Sequence, residues 1–269
     1  MSANPLSFLS ALGRILKGKP QVPKSLAGNP TLSLLMARRS VRKFQKRRIP
    51  DDVFAAILEA ARVAPCTVNL QTWTFGVYDQ SQWKKTFGSP MPFLGDRAVI
   101  LFADMARSRA AIPNFPYKPL CELTLATVNV GIAAYAMNIA AEALGVSSVM
   151  LSETGKTGFY DARYLKEKLG LPHGVLPITT LVLGYSASTP KTMPPKYPLS
   201  ELAFTGRYKK PDAKAVKRWY DEMSAGYRAT YVTHSFKDKL NQYLGKADEA
   251  EAGLQALVLG KKEEFRKKI

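Results

Sequence analysis

Histidine and cysteine are nearly absent from this chain of 269 residues, which carries two of each: His173 and His234, Cys66 and Cys121. So few histidines argue against a histidine-centred catalytic triad and against a multi-histidine metal site. The cysteines lie far apart with no CxxC pair, so there is no disulfide framework and no zinc or iron–sulfur spacing. Hard chemistry is therefore expected from a bound cofactor. The N-terminus lacks the long apolar run behind an early basic residue that marks a secretory signal, and a cytoplasmic location is expected. Acidic residues are scarce as well, 21 against 39 Lys plus Arg, which leaves a net charge of +18. Such a charge suits an anionic partner (nucleotide, nucleic acid, membrane surface or acidic substrate) or serves solubility alone. Neither an internal repeat nor a low-complexity tract is present.

What the chain does have is a long uncharged stretch. No charged side chain lies between Leu123 and Ala141, and many residues there are small: Ala126, Gly131, Ala133, Ala134, Ala136, Ala140 and Ala141. We read Cys121 to Leu144 as one helix of roughly 36 Å at 1.5 Å per residue, stopped by Gly145. Without a polar face it should be buried nearly all round. Its length also meets the threshold for a membrane span. Thr124, Thr127, Asn129 and Asn138 lower its hydrophobicity, and a core helix shared between two subunits fits better.

Residues 1–30 read as a basic amphipathic arm, with Phe8, Leu9, Leu12, Ile15 and Leu16 at helical spacing beside Arg14, Lys17 and Lys19. The arm touches a membrane surface or, the preferred reading, is a short helix packed on the body or a frayed arm. Helices are expected at Thr31–Arg39, from Pro50 to Pro65 and at Asp161–Leu169, and strands at Trp73–Tyr78, Ala98–Ala103, Val146–Leu151 and Ile178–Gly184. The segments Phe87–Gly95 and Ala106–Leu120 read as loops. Residues 31–202 then form one layered α/β or α+β body, and 203–269 a polar helical extension anchored by Trp219, Tyr220, Met223 and Phe236.

Two segments carry chemistry. Arg38-Arg39-Ser40-Val41-Arg42 puts three guanidiniums and a hydroxyl at a helix end, a cradle for phosphate oxygens, set against a plain solvated basic run. Ala64-Pro65-Cys66-Thr67-Val68-Asn69-Leu70-Gln71-Thr72-Trp73 offers donors and acceptors to a planar heterocycle, set against an ordinary helix-to-strand connection. In this order, about 25 residues apart, the pair resembles the FMN-dependent nitroreductase family, which opens with an Arg-Arg-Ser-x-Arg-like segment and continues to Ala-Pro-Ser-Ser-x-Asn-x-Gln-Pro-Trp. The long Ala-rich helix, Leu144-Gly145-Val146, Leu169-Gly170-Leu171-Pro172 and Leu183-Gly184-Tyr185 extend the likeness over 31–202. The tail is similar to the flavin reductase and oxygen-insensitive nitroreductase branch.

The resemblance implies an α+β homodimer, with a mainly antiparallel sheet between helical layers and the long helix at the interface. It implies FMN as cofactor and NADPH or NADH as electron donor. Flavin N5 would carry hydride in ping-pong fashion to a nitroaromatic, quinone or flavin, with no side chain as catalytic acid or base. Carried over by position, Arg38, Arg39, Ser40 and Arg42 would hold the cofactor's phosphate, ribityl chain and ring edge, and Arg42 would stand near N1 and O2. Pro65, Cys66, Thr67 and Asn69 would approach from the other subunit. Leu151, Ser152 and Glu153 would offer backbone N–H groups to N5 and O4, and Lys196 stands where a phosphate-binding arginine is usual. Arg228 is a candidate for the 2′-phosphate of NADPH, set against a solvated helix position. Cys66 for serine, Thr72 for proline, Ser152 and Glu153 where glycine is common, Pro194 for lysine and Lys196 for arginine depart from the family pattern. An oxidase, dehalogenase or flavin-fragmenting enzyme on the same fold, and a basic protein binding nucleic acid or a membrane surface, are the alternatives; no specific nucleic-acid module is visible.

Overall fold

The computed structural model describes residues 5–112, 118–231 and 233–260. Two units emerge, one from residues 28–189 and 246–269, the other from 1–27 and 190–245. The helical unit starts with α1 (Pro5–Lys17).

The larger unit begins with α2 (Pro30–Ala37). Asn29 caps it by accepting from the Leu32 N–H at 3.0 Å, and Pro30 sits in the first turn, where its missing N–H costs nothing. α3 (Asp51–Arg62) carries Asp51 and Asp52 in its first turn, against the helix dipole, and buries Phe54, Ile57 and Ala61 on one face. β1 (Trp73–Asp79) leads into α4 (Gln80–Phe87), which is closed by an Asp79–Gln82 capping box and by Gly88 at φ +71°. β2 (Arg97–Asp104), α5 (Ala106–Ala111), α6 (Pro119–Ala143), β3 (Ser147–Leu151), α7 (Ala162–Leu169) and β4 (Val175–Gly184) follow. The four strands form one antiparallel sheet in the order β1-β2-β4-β3.

Side chains alternate across this sheet, so each face meets its own layer. Val99, Leu101, Ala103, Leu181 and Leu183 pack with α3 and α6; Ala98, Ile100, Phe102, Val149 and Val182 pack with Trp83 of α4 and with Met91. Burial on both faces explains why β2 reads as an unbroken apolar run. The sequence missed α4 because that segment is polar and buries only Trp83. Two segments read as loops hold more structure. Phe87 ends α4, a 3-10 turn covers Pro92–Leu94, and Ala106–Ala111 is a short helix; 113–117 lie outside the described residues.

One expectation about α6 needs correction. The helix is not buried all round: Val128 is 57% exposed and Tyr135 48%, and with Cys121, Thr124 and Ile132 they make a stripe at three- and four-residue spacing. The face toward the sheet is buried, from Ala126 through Val130, Ala133 and Met137 to Ala141. An all-apolar helix against one sheet can cover only one of its sides. By length and hydropathy α6 is the one described helix able to cross a membrane, yet its amides Asn129 and Asn138 are buried in protein contacts.

In the helical unit, α1 packs on α9 (Ala213–Thr230). Arg14 Nε meets Glu222 at 2.6 Å, and Ile15 lies close to Gly226. Between α1 and α9 comes α8 (Leu199–Leu202). α10 (Phe236–Leu259) follows α9; its Phe236 joins an aromatic cluster with Trp219, Tyr220 and Tyr227. From Lys246 onward α10 groups with the sheet unit.

Candidate active site

The arginine segment is an edge extension of the sheet. α2 ends at Arg38, whose ψ of 135° turns the chain extended. Ser40 then bridges Ser148 of β3 in parallel, and the Val41 N–H donates to the Ser148 carbonyl at 3.0 Å. Further on, Gln45 N–H donates to the Tyr185 carbonyl at 2.8 Å and Ala187 N–H to that of Lys43 at 2.9 Å. Here Gly184 is required, since a Cβ would stand 2.8 Å from the Phe44 ring. Arg39 folds back, with Nη1 donating to the Met36 and Arg38 carbonyls at 2.7 and 2.8 Å. Its Nε is buried without a partner. Arg42 stays exposed, held only by a 3.5 Å contact from Nη1 to the Ser40 carbonyl. Near Arg38, burial raises the Glu142 carboxyl above the usual range while the guanidinium pulls it back.

The second segment is strained. Val68, Asn69 and Gln71 have φ of 49°, 54° and 50°, a left-handed region that a β-branched valine rarely adopts. Val68 is 87% exposed at the tip. Pro65, Thr67 and Asn69 are exposed and Cys66 is half-buried. The Gln71 N–H donates to Cys66 Sγ at 3.3 Å, so the thiol sulfur closes the turn. Asn129 of α6 supports the loop from below: its Oδ1 accepts from the Thr67 N–H at 3.3 Å, and its Nδ2 donates to the buried Thr72 hydroxyl at 2.9 Å. This is what Thr72 does in place of a proline.

Leu151, Ser152 and Glu153 leave the end of β3. The Leu151 carbonyl accepts from Thr179 Oγ1 at 2.8 Å. Gly158 packs directly on Ser152, with a virtual Cβ only 2.6 Å from the Ser152 Cα. The Glu153 carboxylate meets Lys246 Nζ of α10 at 2.7 Å. Lys196 and Arg228 belong to the helical unit. Lys196 is exposed just before Tyr197, whose ring stacks on Trp219 at 5.2 Å. Arg228 lies with its guanidinium carbon 5.1 Å from the Phe8 ring of α1.

Within the chain, α6 ties the first two segments to one rod. Asn129 holds the loop at 67–72; Asn138 donates to Ser148 Oγ beneath the arginine segment. Nine residues of helix separate the two amides by roughly 13 Å. Sequence reasoning took both only as polar dilution of an apolar helix. A sharper signal was available: an isolated amide in a buried helix has to find a partner. Lys246 and Gly158 were missed too, and for them the sequence holds no local signal.

Comparison with known proteins adds the following. A model described as the nitroreductase family matches residues 35–89. A protein of Archaeoglobus fulgidus, provisionally named NADH dehydrogenase/NAD(P)H nitroreductase, is 32% identical over 161 residues, covering 57% of this chain and 84% of its own length. The oxygen-insensitive NADPH nitroreductase of Salmonella typhimurium is 26% identical over 221 residues, 80% of this chain and 90% of that one. Among solved structures, the NADPH:FMN oxidoreductase of Vibrio harveyi complexed with NAD+ superposes with a TM-score of 0.70 at 19% identity, covering 87% of this chain and all (100%) of that one. Nitroreductase A of Vibrio parahaemolyticus gives 0.68 at 20%, covering 81% and 92%. At those identities the structural likeness concerns the fold.

Proposed function

This chain belongs to the nitroreductase family, and from that premise we propose that it is an FMN-dependent oxidoreductase drawing on NAD(P)H to reduce a nitroaromatic, quinone or flavin acceptor. The observation that carries the proposal is the buried, partnerless Nε of Arg39, flanked by Arg38 and Arg42 on a segment hydrogen-bonded to β3. A buried cationic donor left unpaired is costly. A phosphate or another anionic acceptor at this segment would relieve it, so the residues fit an FMN. FMN, when bound, supplies the two-electron redox chemistry that side chains lack.

The chain's own residues bind and orient. Arg38, Arg39 and Ser40 would hold the phosphate and ribityl side, and Arg42 would supply a fixed positive charge for the negative charge that reduction brings. Backbone N–H groups of Leu151, Ser152 and Glu153 would serve the ring edge, and Pro65, Cys66, Thr67 and Asn69 would close the site from the second subunit. Lys196, carried over by the resemblance alone, would bring a charge without the bidentate fork of an arginine. Donor and acceptor take turns in one space, so the kinetics are ping-pong. A homodimer through the exposed stripe of α6 is part of the reading, and the stripe's apolar character supports it.

Purified protein should be yellow and should bleach on anaerobic titration with NADPH. Colourless protein that also fails to bind added FMN would end the proposal. For Arg228 the check is the ratio of kcat/KM for NADPH and NADH: Arg228→Ala should lower the preference for NADPH, and an unchanged ratio rejects its role at the 2′-phosphate.

A further inference from the structure

Glu153 brings a carboxylate to the segment after β3, and its side chain is only 14% exposed. One cation, Lys246, answers that charge. Lys246 Nζ reaches Glu153 Oε1 at 2.7 Å and lies 3.4 Å from the main-chain carbonyl of the same residue. One ammonium thus spans the side chain and the backbone of Glu153 across 93 residues of sequence. Asp161 lies close by, with Oδ2 buried and unpartnered, and feels Lys246 and Lys156 as attractive charges and Glu153 and Glu249 as repulsive ones. Lys156 is drawn over the Tyr164 ring at 4.1 Å. Lys246 therefore pairs with Glu153 and also attracts Asp161 on the same short piece of chain.

That piece has little freedom elsewhere. Gly158 packs against the Ser152 backbone, Thr157 Oγ1 donates to the Thr154 carbonyl at 2.7 Å, and Thr180 Oγ1 donates to that of Thr157 at 2.6 Å. Residues 154–158 are anchored from beneath by these contacts, and Glu153 is anchored by Lys246. The clamp comes from α10, outside the segments that carry the family-like motifs.

We propose that Lys246 is a positioning residue for the redox site, gripping both the carboxylate and the carbonyl of Glu153. It fixes the backbone that follows β3 and neutralises the Glu153 carboxylate beside residues 151–153. The proposal rests on the reading that residues 151–153 bind the FMN edge. An unpaired carboxylate there would disfavour the negative charge gained on reduction, and loss of the ammonium would act in the same direction.

Lys246→Met keeps the apolar stem and removes the charge; Lys246→Arg keeps the charge. Two readouts separate the clamp from the cofactor reading. In the protein free of FMN, hydrogen exchange of residues 151–161 should quicken about fivefold in Lys246→Met, the size expected for one partly exposed ion pair, and return toward wild type in Lys246→Arg. In the FMN-loaded protein, the midpoint potential should move to more negative values in Lys246→Met and recover in Lys246→Arg. In a Glu153→Gln background the same Lys246→Met change should shift the potential by less than half as much. Equal shifts in both backgrounds, or no shift in either, overturn the proposal. Faster exchange in a chain that binds no FMN would uphold the clamp and sink the cofactor reading instead.

Discussion

Asn129 is the residue on which most of the strained loop depends. It joins Thr67 and Thr72 through one amide, inside a helix that offers no other polar group at that level. Asn129→Leu would leave the Thr72 hydroxyl, 0% exposed, without its donor and the Thr67 N–H without its acceptor. Urea denaturation should report a loss of about 1–3 kcal/mol, and the loop's contribution to cofactor affinity should fall with it. His173 offers a residue-scale effect of another kind. Burial, then Arg109 and Lys166, lower its pKa from 6.5 to about 4. The folded value lies below the unfolded one, so neutral His173 contributes stability above pH 6.5 that is lost as the pH falls toward 4. His173→Asn should flatten the dependence of Tm on pH inside that window and leave it unchanged above.

At the scale of elements, the turn after β3 is the least forgiving. A methyl at Gly158 would lie 2.6 Å from Ser152 Cα and 2.8 Å from the carbonyl oxygens of Ser152 and Ile178, all backbone atoms that cannot step aside. Gly158→Ala should cost about 2–4 kcal/mol, and thermal melts of the FMN-free protein would show it. The elements themselves were mostly legible. β2 and β4 announce themselves because burial on both faces demands an apolar run, and α3 because Phe54, Ile57 and Ala61 keep helical spacing beside Asp51 and Asp52. α4 was not, because one buried Trp83 makes no periodicity. The arginine segment could be read because its chemistry lies within five neighbouring residues. Its supports could not: Asn138 holds Ser148 ten residues away, Asn129 holds Thr72 at a separation of 57, and Lys246 reaches Glu153 across 93. Contacts of that range are set by packing, and a single sequence carries no trace of them.

For the whole molecule, the proposed homodimer would assemble through the exposed side of α6. Val128→Asp should put a charge into the apolar stripe, and light scattering should then find single subunits where the parent chain gives pairs. FMN affinity should drop at the same time, because each proposed site would draw on both chains. The charge of +18 predicts a second whole-molecule effect. Anionic NADPH should be steered toward the protein, so kcat/KM should decline as salt rises, and NADH, with less negative charge, should decline less.

The two amides of α6 have one more consequence. They act like marks on a ruler, each setting the height of a different segment, and the helix between them allows no local slack. A single alanine inserted between Val130 and Asn138 would swing the far mark round by about 100°. Ser148 would then lose its anchor while the loop at Val68 kept its own. The reach between the two segments is thus fixed by counting residues along a rod, and lengthening the loops at either end cannot restore it.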